Sequence, residues 1–230
     1  MSTMLTLLDR ADSWPGAAEL RSRTYELLRP AEFIVDVGCG AGRAVAELGP
    51  GAVGIDVSEE MIQVARIRWP ESDFRVGSAT ALPFGDGAVG GYRADKVLHA
   101  VPDPAAVLVE ARRVLAPGGR IVLVGQDWDT IVIDSDDPAL TRRLVQARAD
   151  KIASPRAARR YRNLLLECGF RDVVLEVHTA VFTDAAMLPM LAGMAGAETG
   201  WLAEQTRRAE SGRMFVALPM FLAAATRVPG

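Results

Sequence analysis

The sequence predicts an α/β fold, a doubly wound and mostly parallel sheet with helices on both faces. Strand-like and helix-like stretches alternate over 33–37, 42–48, 52–56, 58–68, 73–76, 88–93, 104–115 and 120–125, the order that parallel strands with crossover helices require. The β-branched and aromatic run Phe33-Ile34-Val35-Asp36-Val37 leads directly into Gly38, Gly40 and Gly42, as a buried strand does when it turns tightly into a helix. A second run, Ala52-Val53-Gly54-Ile55, ends in the carboxylate of Asp56. Ligands in such sheets lie beyond the carboxyl ends of the strands near the switch in strand order, where the glycine turn and Asp56 converge.

Composition narrows the classes. With 230 residues, 50% hydrophobic and 24% charged, the chain suits one domain over 1–230 with a sizeable core. A net charge of -3 disfavours a polyanion, so no nucleic-acid partner is expected. Met1 to Arg10 holds no basic region followed by a long apolar core. The longest apolar runs, Met187 to Ala197 and Met214 to Ala225, fall short of the roughly 20 residues that span a bilayer. Neither export nor membrane insertion is expected. Cys39 and Cys168 lack metal-ligand spacing, so no metal is expected, and a cytoplasmic compartment with reduced thiols fits them.

Taken in order, the N-terminal segment 1–30 contains a helix over 17–29 with Leu20, Leu27 and Leu28 on one face. Arg23 shares that face and needs a partner, for which a ligand carboxylate, a local glutamate and the solvent all remain open. The glycine turn reads G-x-G-x-G. A dinucleotide fingerprint would need its third glycine at position 43, which is Arg43. Asp36, two residues before Gly38, is a poor neighbour for a phosphate and a good one for the amino group of an amino acid. Asp56 is placed to accept from both hydroxyls of an adenosine ribose, and Ser58 to cap the helix that follows.

Six segments in sequence complete this pattern: VDVGCGAG (35–42), GIDVSEEM (54–61), VGSATALPF (76–84), YRADKVLHAV (92–101), ARRVLAPGGRIVLV (111–124) and LLLECGFRDV (164–173). With them the chain resembles the class I S-adenosylmethionine-dependent methyltransferases, most of all their quinone-biosynthesis and natural-product branch. The resemblance implies a seven-stranded sheet of Rossmann-like type. Its last, antiparallel strand falls at Met214 to Thr226, its sixth at about Val173 to Phe182, and a helical cap-like insertion at 183–213. It also implies S-adenosyl-L-methionine as cofactor and O- or C-methylation of a small-molecule acceptor. A non-methylating reaction such as a cyclisation, and a regulatory binding module, are the alternatives on the same fold.

Carried over residue by residue, the cofactor contacts are Arg23, Asp36, Gly38, Cys39, Gly40, Gly42, Asp56, Val57, Met61, Ser78, Ala79 and Arg93. Ser78 stands where the family usually has an acid for the adenine amino group, which weakens that contact and leaves the backbone of Ala79. Gly90-Gly91 removes an acid often found in the fourth strand. Tyr92-Arg93-Ala94-Asp95 replaces the Asn/Asp-Pro-Pro-Tyr/Phe signature of enzymes that methylate exocyclic or amide nitrogens.

His99 is the candidate catalytic base, with a packing role as the other reading, whereas His178 falls in the sixth strand. Lys96, like Arg93, is a candidate for the methionine carboxylate or an acceptor anion. Asp127-Trp128-Asp129 either lines an acceptor pocket or packs. The basic segment from Thr141 to Arg162 is either a solvated helical face or an attractor of an anionic acceptor. Met187, Met190, Leu191 and Met194, with Leu188 and Trp201, form either a lid or core.

Overall fold

Among the described residues eight strands form one sheet, and strands one to five are parallel. In this computed structural model residues 13–228 are described; the part of the 1–30 segment on 1–12, and the reading of Met1 to Arg10, lie outside them. The elements are α1 (Ala17–Leu28), β1 (Ile34–Val37), α2 (Arg43–Leu48), β2 (Ala52–Asp56), α3 (Glu59–Arg68), β3 (Asp73–Val76), β4 (Val89–Asp95), α4 (Pro104–Val114) and β5 (Leu115–Gln126). They continue as β6 (Val132–Ile133), α5 (Pro138–Ala149), α6 (Tyr161–Glu167), β7 (Phe170–Phe182), α7 (Leu188–Ala195), α8 (Thr199–Glu210) and β8 (Val216–Arg227). The order is β3-β2-β1-β4-β5-β8, with β7 on the far edge of β8.

As expected, β8 runs antiparallel to both neighbours. The seven expected strands are all present, and β6 adds a two-residue pairing with Val216 and Ala217. That strand is too short to leave a period-two signal. β4 also runs to Asp95, two residues beyond the expected 88–93, which brings Arg93 and Asp95 into the sheet on one face.

Alternation along the strands splits the core. Val35, Val37, Tyr92, Ile121 and Leu123 face α4 and α6, which contribute Leu108, Val114 and Leu165. Val122, Val124 and Leu222 face the other way, onto Leu28 of α1, Leu144 of α5 and Leu191 of α7. The third cluster, with Val45, Ile62 and Phe74, seats α2 and α3 on the β2–β3 end. Helix starts follow their caps. Ser58 Oγ accepts from Met61 N at 3.3 Å, and the Asp103 and Asp137 carboxylates cap α4 and α5, each with proline at the first helical position. The segment 183–213 packs rather than stands apart: Met187, Leu191, Met194 and Trp201 are buried in the same cluster as β8.

Gly42 shows why the turn needs glycine. Its φ is +86°, and a Cβ there would lie 2.5 Å from Phe74 Cζ and 2.9 Å from Ala65 Cβ. Gly118 has a similar φ of +80° with nothing within 4 Å. Urea unfolding should therefore show Gly42→Ala losing roughly 2–4 kcal/mol from backbone strain plus overpacking. Gly118→Ala should lose only about 1–2 kcal/mol, the strain alone. Equal losses would contradict the packing argument.

Candidate active site

The turn from β1 into α2 makes the floor of the site. Gly38 and Cys39 both donate their N–H to Ile55 O, at 2.7 and 3.1 Å, so the first glycines are sewn to the end of β2. Gly38, Gly40 and Gly42 all have positive φ. The Asp56 carboxylate closes the loop by accepting from Gly40 N and Ser58 N, each at 2.9 Å and each on a different oxygen. Both oxygens keep lone pairs for a further donor. Trp69 Nε1 donates to Ala41 O at 3.0 Å and pins the other side of the turn.

Two recesses open on this floor and meet at Gly38, Gly40, Asp95 and Lys96. The outer one, about 590 Å³, is lined by Asp56, Val57, Met61, Ser78 and Ala79. That volume lies in the usual range of about 300–1,000 Å³ for ligand pockets. Val57 is 78% exposed, so its apolar side chain is open to a flat ring. Ser78 Oγ lies 3.0 Å from Thr80 Oγ1 and accepts from Thr80 N, a local turn that shapes the rim. Behind the rim, Glu110 accepts from Leu82 N at 2.6 Å while Arg113 spans Glu110, Asp86 and Phe84 O, which holds the 78–86 loop to α4.

The inner recess, about 80 Å³, is lined by Asp36, Cys39, Gly42 and Arg93. Asp36 and Arg93 are register partners in adjacent strands, and their side chains, 2% and 3% exposed, pair at 2.7 Å. Arg93 Nε donates to Thr24 Oγ1 of α1 at 2.9 Å, and its third nitrogen to Asp95 at 2.9 Å. Asp95 in turn takes Lys96 Nζ at 3.0 Å. Burial pushes the Asp36 carboxyl up, with Arg93 pulling against it. Burial works the same way on Asp95, but Lys96 and Arg93 hold it below the ordinary carboxylate range. Burial also pushes the Cys39 thiol up, so it is no nucleophile.

Two sequence expectations are corrected. Arg23 lines neither recess; the inward face of α1 is Leu20, Thr24 and Leu28, and Arg23 pairs instead with Glu176 of β7 at 2.7 Å and with Glu26 at 2.9 Å. His99 is likewise outside both recesses. Its ring packs edge-on against Trp128 with centroids 5.5 Å apart, and its buried Nδ1 has no hydrogen-bond partner among the described residues. Burial, then the positive charge of Lys96, lowers its pKa to about 4, which makes it a weak base. Arg93 lines the inner recess, but Asp36, Asp95 and Thr24 occupy its nitrogens, so it positions these groups.

The open alternatives resolve toward structure. Asp127 pairs with Arg159, Asp129 with Arg156, and Arg148 sits 5.1 Å above the Trp128 ring, so the Asp-Trp-Asp loop and part of the basic segment neutralise one another. The Asp95–Lys96 pair is the feature that residue types alone left unranked. Its signal was the recurrence of charge at 93 and 95 on one face of a strand. Among the described residues no group of His, Cys, Asp and Glu is arranged to hold a metal, and no helix is long and apolar enough to cross a membrane.

Residues 35–123 match the family described as methyltransferase domain. An uncharacterized 37.1 kDa protein of transposon TN4556 from Streptomyces fradiae is 35% identical over 202 residues, covering 83% of this chain and 59% of that protein. The demethylmenaquinone methyltransferase of Renibacterium salmoninarum is 36% identical over 97 residues, 41% of each chain. This chain thus spans about half the length of these relatives. The YcgJ protein of Bacillus subtilis, a solved structure, superposes with a TM-score of 0.69 at 17% identity over 93% of this chain and 100% of that one, a likeness of fold. The six sequence segments, the strand order with its one reversed strand and the match over residues 35–123 agree: the chain is similar to methyltransferase domains over that stretch and shares the fold of the solved structure.

Proposed function

We propose that this chain is an S-adenosylmethionine-dependent methyltransferase acting on oxygen or carbon of a small-molecule acceptor. The observation that carries the reading is the pair of joined recesses, the outer ending at Asp56 and the inner at Asp36. A nucleoside suits the outer one, where Asp56 accepts from ribose hydroxyls and Val57 and Met61 flank the base. The amino-acid end suits the inner one, where the Asp36 carboxylate meets its ammonium group. A pyrophosphate does not, because Asp36 repels it and α2 is only six residues long. The quinone-type name of one relative supports a quinone or natural-product acceptor. A cytoplasmic setting agrees with two free thiols.

When bound, the cofactor supplies an activated methyl group and its own leaving group. This chain's residues then need only hold the acceptor atom in line and exclude water. With His99 half-buried against Trp128, the reading calls on no histidine base, and it favours acceptors that are already anionic at the reacting atom.

Calorimetry tests the binding half. S-adenosylhomocysteine should bind at least about 10-fold more tightly than NAD. Asp56→Ala should weaken it by about 2–3 kcal/mol, the worth of charge-assisted bonds to two hydroxyls. Tighter binding of NAD would overturn the assignment. Mass spectrometry of a metabolite extract incubated with cofactor tests the transfer half, by a gain of one methylene on a component; no such gain with cofactor bound would point to a non-methylating or regulatory role.

His99 should govern stability rather than rate. Above its ordinary value of 6.5 the ring is neutral in both states; as pH falls toward about 4 the unfolded chain binds the proton and the folded chain does not. Stability is therefore lost as pH drops through that window, by at most about 3 kcal/mol. Unfolding of His99→Gln between pH 7 and 4 should show a correspondingly shallower loss than the parent; parallel curves would contradict the placement of the ring.

A further inference from the structure

A third cavity, about 200 Å³, lies between the start of α1 and the β7–β8 edge and is not used by the cofactor reading. Its apolar wall includes Trp14, Leu20, Ala180 and Met220. Asp95 and Lys96 line it, as they line both cofactor recesses, so the three spaces meet at this one pair. An acceptor here would be next to the cofactor without sharing its space. We propose that this cavity is the acceptor site and that Lys96 selects a small, largely apolar acceptor bearing one anionic oxygen group, a carboxylate or phenolate.

Three observations support the role of Lys96, and the proposal rests on the methyltransferase reading. Its backbone stands at φ +61°, a conformation that a residue with a side chain rarely takes, and its N–H is anchored to Val124 O at 2.8 Å. Strain of this kind gathers where a side chain must be aimed. The ammonium is 3.0 Å from Asp95 with its side chain 29% exposed, so it is held in place and still open to a ligand.

The charges complete the argument. Asp36, Arg93, Asp95 and Lys96 sum to zero, and a sulfonium cofactor adds a net positive charge, which an anionic acceptor balances. The other charged groups on the cavity wall are locally matched or solvated. Arg21 pairs with Glu47 at 2.8 Å, His178 lies 2.9 Å from Glu176, and Glu19 is exposed on α1, where solvent screens it. The volume is below the usual 300–1,000 Å³ or so of ligand pockets, which limits the acceptor to about one ring.

The probes are benzoate and its neutral analogue benzyl alcohol, titrated into the full chain saturated with S-adenosylhomocysteine. Benzoate should bind at least about 10-fold more tightly. The preference should fall to near unity in Lys96→Gln, and Ala17→Phe, which fills the cavity from α1, should lose benzoate while still binding S-adenosylhomocysteine. Retained S-adenosylhomocysteine binding shows that Ala17→Phe is folded, and a cooperative thermal unfolding transition like the parent's shows it for Lys96→Gln. Equal affinities in the parent, no benzoate binding at about 10 mM, or a preference that survives in either variant would overturn the proposal and leave the cofactor reading standing. Failure of the parent to bind S-adenosylhomocysteine would overturn both.

Discussion

An arginine in the middle of a buried strand sets the terms for the rest of this molecule. Arg93 is 3% exposed, and a guanidinium taken out of water at that depth requires a carboxylate held at contact distance. Parallel pairing of β1 with β4 puts Asp36 beside it in register, and the period of two puts both side chains on the α1 face. Thr24 accepts from the same guanidinium, so docking of α1 and pairing of the strands satisfy one group. The remaining nitrogen reaches Asp95, which fixes the charge at the mouth of the recesses and orients Lys96 beyond it. A structural need in the core thereby determines the electrostatics of the cleft.

The glycine turn supplies the other half of the site. Sheets of this type offer ligands the loops at the carboxyl ends of β1, β2 and β4, and here the first two are tied to one another through Ile55 O and the Asp56 carboxylate. On the proposed reading Asp56 has two duties, since the oxygens that close the turn are those a ribose would meet.

Much of this was legible because it is written in short-range patterns. Apolar runs, glycines at alternate positions and strand-terminal acids mark β1, β2 and the turn, and Ser58 announces its helix through its cap. The errors came from choices that only long-range packing makes. Arg23 was misplaced by one position in the phase of α1, where Thr24 and not Leu27 completes the buried face, and its partner Glu176 is 153 residues away. His99 has the right residue type for a base, but Trp128 and Arg148 decide which way its ring environment is built. The methionines of 187–194 carry a helical period in either role, and only the position of β8 makes them core. The third cavity, formed by α1, β4, β7 and β8, has no local signature.

The claim that the Arg93–Asp36 pair organises the fold is tested most directly by a double-mutant cycle in chemical unfolding. Asp36→Ala and Arg93→Met should each cost about 3–5 kcal/mol, because each strands a buried partner. The double variant, with neither charge buried, should lose at least about 2 kcal/mol less than the sum of the two. Losses that add to within about 0.5 kcal/mol would show the two side chains to be energetically independent and would contradict the account.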